Sequence, residues 1–213
     1  MESIRLHRGF VLNPSKGFSL TELLVVLAII GIIMSIVLSN QNSFNKTIIL
    51  SNTAYDIALS LRSAETYGLG SRAVGSVSNV GYGIHFSKGN SNSFTLFADT
   101  SPVVSCGTPN CKPGDNIYTS PDVVVQTYTI GNGITINDFC ALANGSWSCA
   151  YTHNSNLNSL DIVSSRPNPN VSITANGSPY TAACISITSS EGVNRYVSVA
   201  ASGGITANAP SCP

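Results

Sequence analysis

Residues 18–38 read FSLTELLVVLAIIGIIMSIVL, and the rest of the chain takes its meaning from them. From Leu23 to Leu38 the one polar residue is Ser35, and Gly31 is the one poor helix former. The run is about long enough to cross a bilayer, and helix is the state in which such a segment satisfies its backbone in lipid. Glu22 does not fit a plain anchor. A charge in an apolar helix costs about 3 kcal/mol on insertion scales and is kept where it has a partner. Near a helix start the available partners are free backbone N–H groups or an α-amino group. A cut just before Phe18 would create that ammonium, within reach of Glu22 on a neighbouring copy.

Upstream, MESIRLHRGFVLNPSKG (residues 1–17) carries Arg5, Arg8 and Lys16 against Glu2. The positive bias keeps this end cytoplasmic. It has no apolar core of its own and ends at Gly17, ahead of the hydrophobic run, whereas a secretory signal is cut after its apolar region. The rival reading is an uncleaved signal anchor with Glu22 tolerated near the interface.

The stretch Lys16-Gly17-Phe18-Ser19-Leu20-Thr21-Glu22-Leu23-Leu24-Val25-Val26 resembles the class III signal of type IV prepilins and type II secretion pseudopilins. The resemblance implies cleavage between Gly17 and Phe18 by prepilin peptidase, N-methylation of Phe18, and assembly into a helical filament through the apolar segment. It also implies the partners: homologous pilin or pseudopilin subunits, an inner-membrane assembly platform, and membrane lipid before assembly. The expected domains are a leader at 1–17, a membrane and polymerisation half-helix at 18–38, a soluble half-helix at 39–70 and a β-rich domain at 71–213.

After Leu38, SNQNSFNKT (39–47) is polar and has little helix propensity, which leaves two readings open, a short break or one rod from 18 to about 67. From Ile48 to Tyr67 the helical period returns, with Leu50, Ala54, Ile57, Leu61 and Ala64 on one face; Gly68 and Gly70 are expected to stop it. Related pilins often carry Pro where this chain has Ser39, which leaves Gly31 as the site for the helix to loosen. Beyond Ser71 the period changes to short strands: 72–77, 80–86, 94–98, 123–130, 134–136, 160–163, 171–173, 184–188 and 195–199. The clearest hairpin brackets Ser-Glu-Gly within CISITSSEGVNRYVSVA. The expected class is α+β, a pilin fold with a long N-terminal helix packed on an antiparallel β-sheet domain. Leu61-Arg62-Ser63-Ala64, Tyr82-Gly83-Ile84 and the closing hairpin to Gly204-Ile205 resemble, more loosely, the H-type minor pseudopilins. Phe97-Ala98-Asp99-Thr100 and Arg166-Pro167-Asn168-Pro169 resemble segments of other bacterial prepilins.

Charged residues make up 9% of the chain, against about 25% in ordinary soluble domains. Solubility then rests on Ser, Thr, Asn and Gly, the surface of an exported protein. Without residues 1–17, Lys46, Arg62, Arg72, Lys88, Lys112, Arg166 and Arg195 remain, too sparse a set for a nucleic-acid footprint. A DNA-uptake role stays open but unsupported. Six cysteines point to an oxidising compartment, since their spacings do not form zinc knuckles. Nearest-neighbour pairing would join Cys106 with Cys111, Cys140 with Cys149 and Cys184 with Cys212, one of fifteen possible connectivities.

The loops 101–122 and 141–158 are candidate contact regions through Trp147, Tyr151 and His153; the plainer reading has Trp147 plugging its own disulfide loop. Asp99, Asp115 and Asp122 match no compact calcium loop and read as turn caps. His85 falls in a strand, no Ser lies in a nucleophile elbow, and no metal-ligand spacing occurs, so neither an enzyme nor a cofactor is expected. The function expected is a structural subunit of a type IV pilus or related filament, with Glu22 paired to the amine of Phe18 next door. The alternatives are a type II secretion pseudopilin and a filament-tip adhesin.

Overall fold

The structure is a computed structural model and describes residues 17–70, 72–75, 77–102, 113–152 and 156–212, leaving aside the side chains of 39–44. The leader as far as Lys16, the Cys106/Cys111 pair and His153 lie outside the described residues. The chain divides into two compact units between Asn42 and Ser43, within one helix, α1 (Leu20–Leu69). Each unit is described by itself.

In the first unit the helix begins where the Ser19 carbonyl accepts the N–H of Leu23 at 3.1 Å. Every residue from Gly17 to Leu38 is exposed. Of the two readings of 39–47 the continuous rod holds, because the helical backbone runs through the stretch. That stretch contains neither Pro nor Gly, and an Asn costs a helix only about 0.6 kcal/mol, too little to interrupt a continuous ladder.

In the second unit the stripe Leu50, Ala54, Ile57, Leu61 and Ala64 is buried. The helix ends one turn later, with the Gly70 N–H donating to the Thr66 carbonyl at 2.9 Å. Gly68 lies inside the helix rather than stopping it. A Cβ there would stand 2.0 Å from the carbonyl oxygen of Ser164, so Gly68 is the point where helix and sheet backbones touch.

Among the described residues eleven strands follow: β1 (Gly81–Ser87), β2 (Ser93–Asp99), β3 (Val123–Thr129), β4 (Ile134–Ala143), β5 (Ser146–Cys149), β6 (Ser159–Ser165), β7 (Asn168–Ala175), β8 (Ser178–Tyr180), β9 (Ala182–Ser189), β10 (Asn194–Ala200) and β11 (Ile205–Ala209). They form two sheets, not one. The first is ordered β3-β2-β1-β6-β7-β8 and the second β11-β10-β9-β4-β5, and neighbouring strands in both orders pair antiparallel. Alternation sets the inner faces: Tyr82, Ile84 and Phe86 from β1, Leu160 and Ile162 from β6, Ile185 and Ile187 from β9. These join the helix stripe in a single core cluster.

The segment 72–77 is not a strand. Val74 and Val77 pair with each other through two bonds of 3.0 Å around Gly75, whose φ of 57° turns the chain back on itself. Strands β5 and β8 escape a reading by hydrophobic runs because they are short and polar. Their hairpins are set by Asn144-Gly145 and Asn176-Gly177, with positive φ at both residues, the geometry of a type I′ turn.

Candidate assembly site

Gly17 and Phe18 precede the helix, and Phe18 is 79% exposed. The Ser19 and Thr21 hydroxyls lie 2.9 Å apart, and Glu22 occupies the first helical turn, where unsatisfied N–H groups favour a carboxylate. Leu20–Leu38 is long and apolar enough to cross a membrane by length and composition, and none of it is buried within the chain. The structure thus brings Phe18 and Glu22 to one helix end. A Ser19-x-x-Glu22 spacing, the signature of a capping box, was legible in the sequence as a further reason for the helix to begin there.

Further along the chain, the cysteines and aspartates organise the loops of the domain. Cys140 and Cys149 face each other across β4 and β5 in a disulfide with a Cα–Cα distance of 4.0 Å. Cys184 on β9 is bonded to Cys212 beyond β11, at 5.9 Å. Between Ile136 and Asp138 the β4–β9 register slips by a β-bulge, which keeps both Ile136 and Phe139 inward and turns Asp138 to the other face. There Asp138 accepts the backbone N–H groups of Phe139, Ala150, Tyr151 and Thr152 and the Thr152 hydroxyl. Asp138, Cys140 and Cys149 bring ligand-type atoms within 4.8 Å of one another. The sulfurs are joined to each other and the carboxylate is saturated with donors, so this trio does not offer a metal site.

The three aspartates expected as turn caps act as such. Asp99 accepts from the N–H groups of Asp115 and Asn116, Asp115 from Ile117, and Asp122 from Thr100, Ser101 and Thr119. Burial is the main force pushing Asp99 up to about 7, with the Asn116 N–H opposing it and the Asp122 charge adding to it.

Asp161, which sequence reasoning missed, is wholly buried on β6, and its Oδ1 lies 2.7 Å from Nδ1 of His85 on β1. Burial raises its pKa, and the His85 hydrogen bond counters that rise. The ring of Tyr118 lies on His85 and meets Phe97 edge-on, closing the segment 113–122 over this pair. The available signal was a lone aspartate within the apolar run Leu160-Asp161-Ile162-Val163.

Four cations among the described residues are individually engaged. Lys46 pairs with Glu191 at 2.8 Å and Arg62 with Glu65 at 2.6 Å, Arg72 lies over Tyr67, and Lys88 lies over Tyr151. Trp147 is half-buried on β5, and the Tyr151 hydroxyl accepts the Gly89 N–H at 2.9 Å.

Residues 12–38 match the prokaryotic N-terminal methylation motif. This methylation motif covers the stretch that holds Gly17, Phe18 and Glu22. Together with a long N-terminal helix followed by an antiparallel sheet domain, it describes a pilin-like structural protein, consistent with the type IV pilin and pseudopilin superfamily. Motif and fold accord with a non-catalytic role. No curated protein and no solved structure matches the chain.

Proposed function

We propose that the chain is a structural subunit of a type IV pilus or a related filament, held by its apolar helix in the inner membrane until assembly. Prepilin peptidase removes residues 1–17, and Phe18 becomes the methylated N-terminus. Subunits then leave the lipid and polymerise through residues 18–38 at an inner-membrane platform. In the filament, Glu22 pairs with the ammonium of Phe18 of a neighbouring subunit.

The observation that carries this reading is the apolar span Leu20–Leu38 of the helix, exposed throughout, with one carboxylate in its first turn and the methylation motif around it. A plain anchor needs the apolar length but has no use for Glu22, whose desolvation asks for a cationic partner. The low charge and disulfide-tied loops of the domain suit life on a cell surface.

The test is the N-terminal mass of the protein in filaments sheared from cells. A chain beginning at N-methylated Phe18 is the expected result. A protein confined to membranes with residues 1–17 intact overturns the proposal.

A further inference from the structure

We infer that the outer face of the second sheet carries a binding site for a neutral saccharide, with Trp147 as its stacking platform. A cavity of about 760 Å³ opens there, within the range of about 300–1,000 Å³ usual for small-molecule sites. Trp147 and Tyr196, both half-buried, contribute aromatic surface to it, and Asn137 and Asn194 contribute amides. A pyranose has the matching chemistry: C–H faces that lie on an indole ring, and a rim of hydroxyls that both donate to and accept from side-chain amides.

Three features separate this site from an incidental hollow. Both described disulfides border it through Cys140, Cys149 and Cys212, so its walls are covalently braced and little ordering is left for a ligand to impose. The bulge in β4 is what turns Asn137 and Asp138 toward this face. Ser186, 5% exposed and opposite Asp138 in register, lines the cavity with a hydroxyl that has no hydrogen-bond partner among the described residues and is closed to solvent, so a ligand hydroxyl reaches it once the side chain rotates outward.

The charge pattern selects the ligand. No Lys, Arg or His is among the described lining residues, and the one carboxylate, Asp138, already accepts from four backbone N–H groups and a hydroxyl. Among the described lining residues an anionic ligand finds no counter-charge, and a cationic one finds a carboxylate whose lone pairs are occupied. The inference concerns the domain alone and stands whether or not the chain polymerises.

Trp147 is the only tryptophan in the chain, so its fluorescence reports on this site alone. The full chain in zwitterionic micelles, free of sugar-headed detergent, is titrated with methyl β-galactoside, methyl α-mannoside and N-acetylglucosamine. A saturable emission change with at least one of them is expected, half-complete at about 1 mM. Asn137→Ala and Asn194→Ala each weaken it about tenfold, a loss of about 1.4 kcal/mol. Asn137 is exposed at the bulge and its replacement leaves the core untouched, so the test survives if Asn194→Ala misfolds. N-acetylneuraminic acid, a sugar bearing a carboxylate, gives no saturable change. The inference is overturned by a flat titration with all three neutral sugars, by a response that Asn137→Ala leaves unaltered, or by equal affinity for the acidic sugar.

Discussion

Glu22 is exposed on its own chain and Asp99 is buried, and these surroundings assign the two carboxylates opposite tasks. Glu22 has the first-turn N–H groups on its own chain and, on the proposed function, a neighbour's ammonium in the filament core. Glu22→Val is expected to leave membrane insertion intact while lowering filament yield at least tenfold, as measured in sheared fractions; wild-type yields would remove the ammonium pairing from the account. Asp99 is 2% exposed and sits at about 7, above its value of about 3.9 in an unfolded chain. Between those values the folded state holds more protons than the unfolded one. The stability this group contributes is therefore complete below about pH 4 and lost as pH rises through about 7. Asp161, also raised, acts in the same direction. The melting temperature should be higher at pH 5 than at pH 8, and Asp99→Asn should shrink the gap by about 2 kcal/mol, or on the order of 5 °C. An unchanged gap in that variant would assign the pH dependence to other groups. Gly68 is the steric counterpart: a Cβ against the Ser164 carbonyl forces helix and sheet apart. Gly68→Ala should cost about 3 kcal/mol in urea unfolding, and a loss below about 0.5 kcal/mol, the scatter of ordinary surface substitutions, would show that the contact relaxes freely.

At the scale of elements, turn chemistry and cross-links do more than strand propensity. Asn144-Gly145 and Asn176-Gly177 make β5 and β8 possible, although neither strand has an apolar run of its own. Polar Asn137-Asp138 reads as the end of a short strand, yet β4 continues to Ala143 because the bulge absorbs the extra residue and restores the inward phase at Phe139. The two disulfides differ in what they constrain. Cys140–Cys149 spans 9 residues of a hairpin already closed by a tight turn, while Cys184–Cys212 spans 28 and ties the tail to the centre of the second sheet. Replacing Cys184 and Cys212 together by Ala should cost about 3 kcal/mol, and the same change at Cys140 and Cys149 less, since a longer closed loop restrains the unfolded chain more. Urea titrations of the two double variants check the order, and the reverse order would mean that the hairpin depends on its bridge.

At the scale of the whole molecule, the two units divide the chemistry. Among the described residues every member of the buried core lies at or beyond Leu50, whereas residues 17–38 are exposed throughout. A chain starting at Ser43 should therefore fold as a soluble domain with both described disulfides, showing a cooperative melt and native-like near-ultraviolet dichroism; a molten or aggregated product would show that residues before Ser43 are needed for folding. The full chain, by the same logic, should require detergent for extraction.

What the amino-acid order determined by itself was the two helical stretches on either side of 39–47, the apolar stripe from Leu50 to Ala64, the methylation motif around Gly17 to Glu22 and the antiparallel character of the remainder. All of these are local: a period, a spacing or a turn dipeptide is complete within a few residues, and its physics travels with it. Only the tertiary structure decided that the strands split into two sheets, that Asp161 meets His85, that Gly68 is a contact rather than a stop, and that Trp147, Asn137, Tyr196 and Ser186 line one cavity. Those relations join residues tens of positions apart. They follow from which faces the core buries, a condition that no short window of sequence contains.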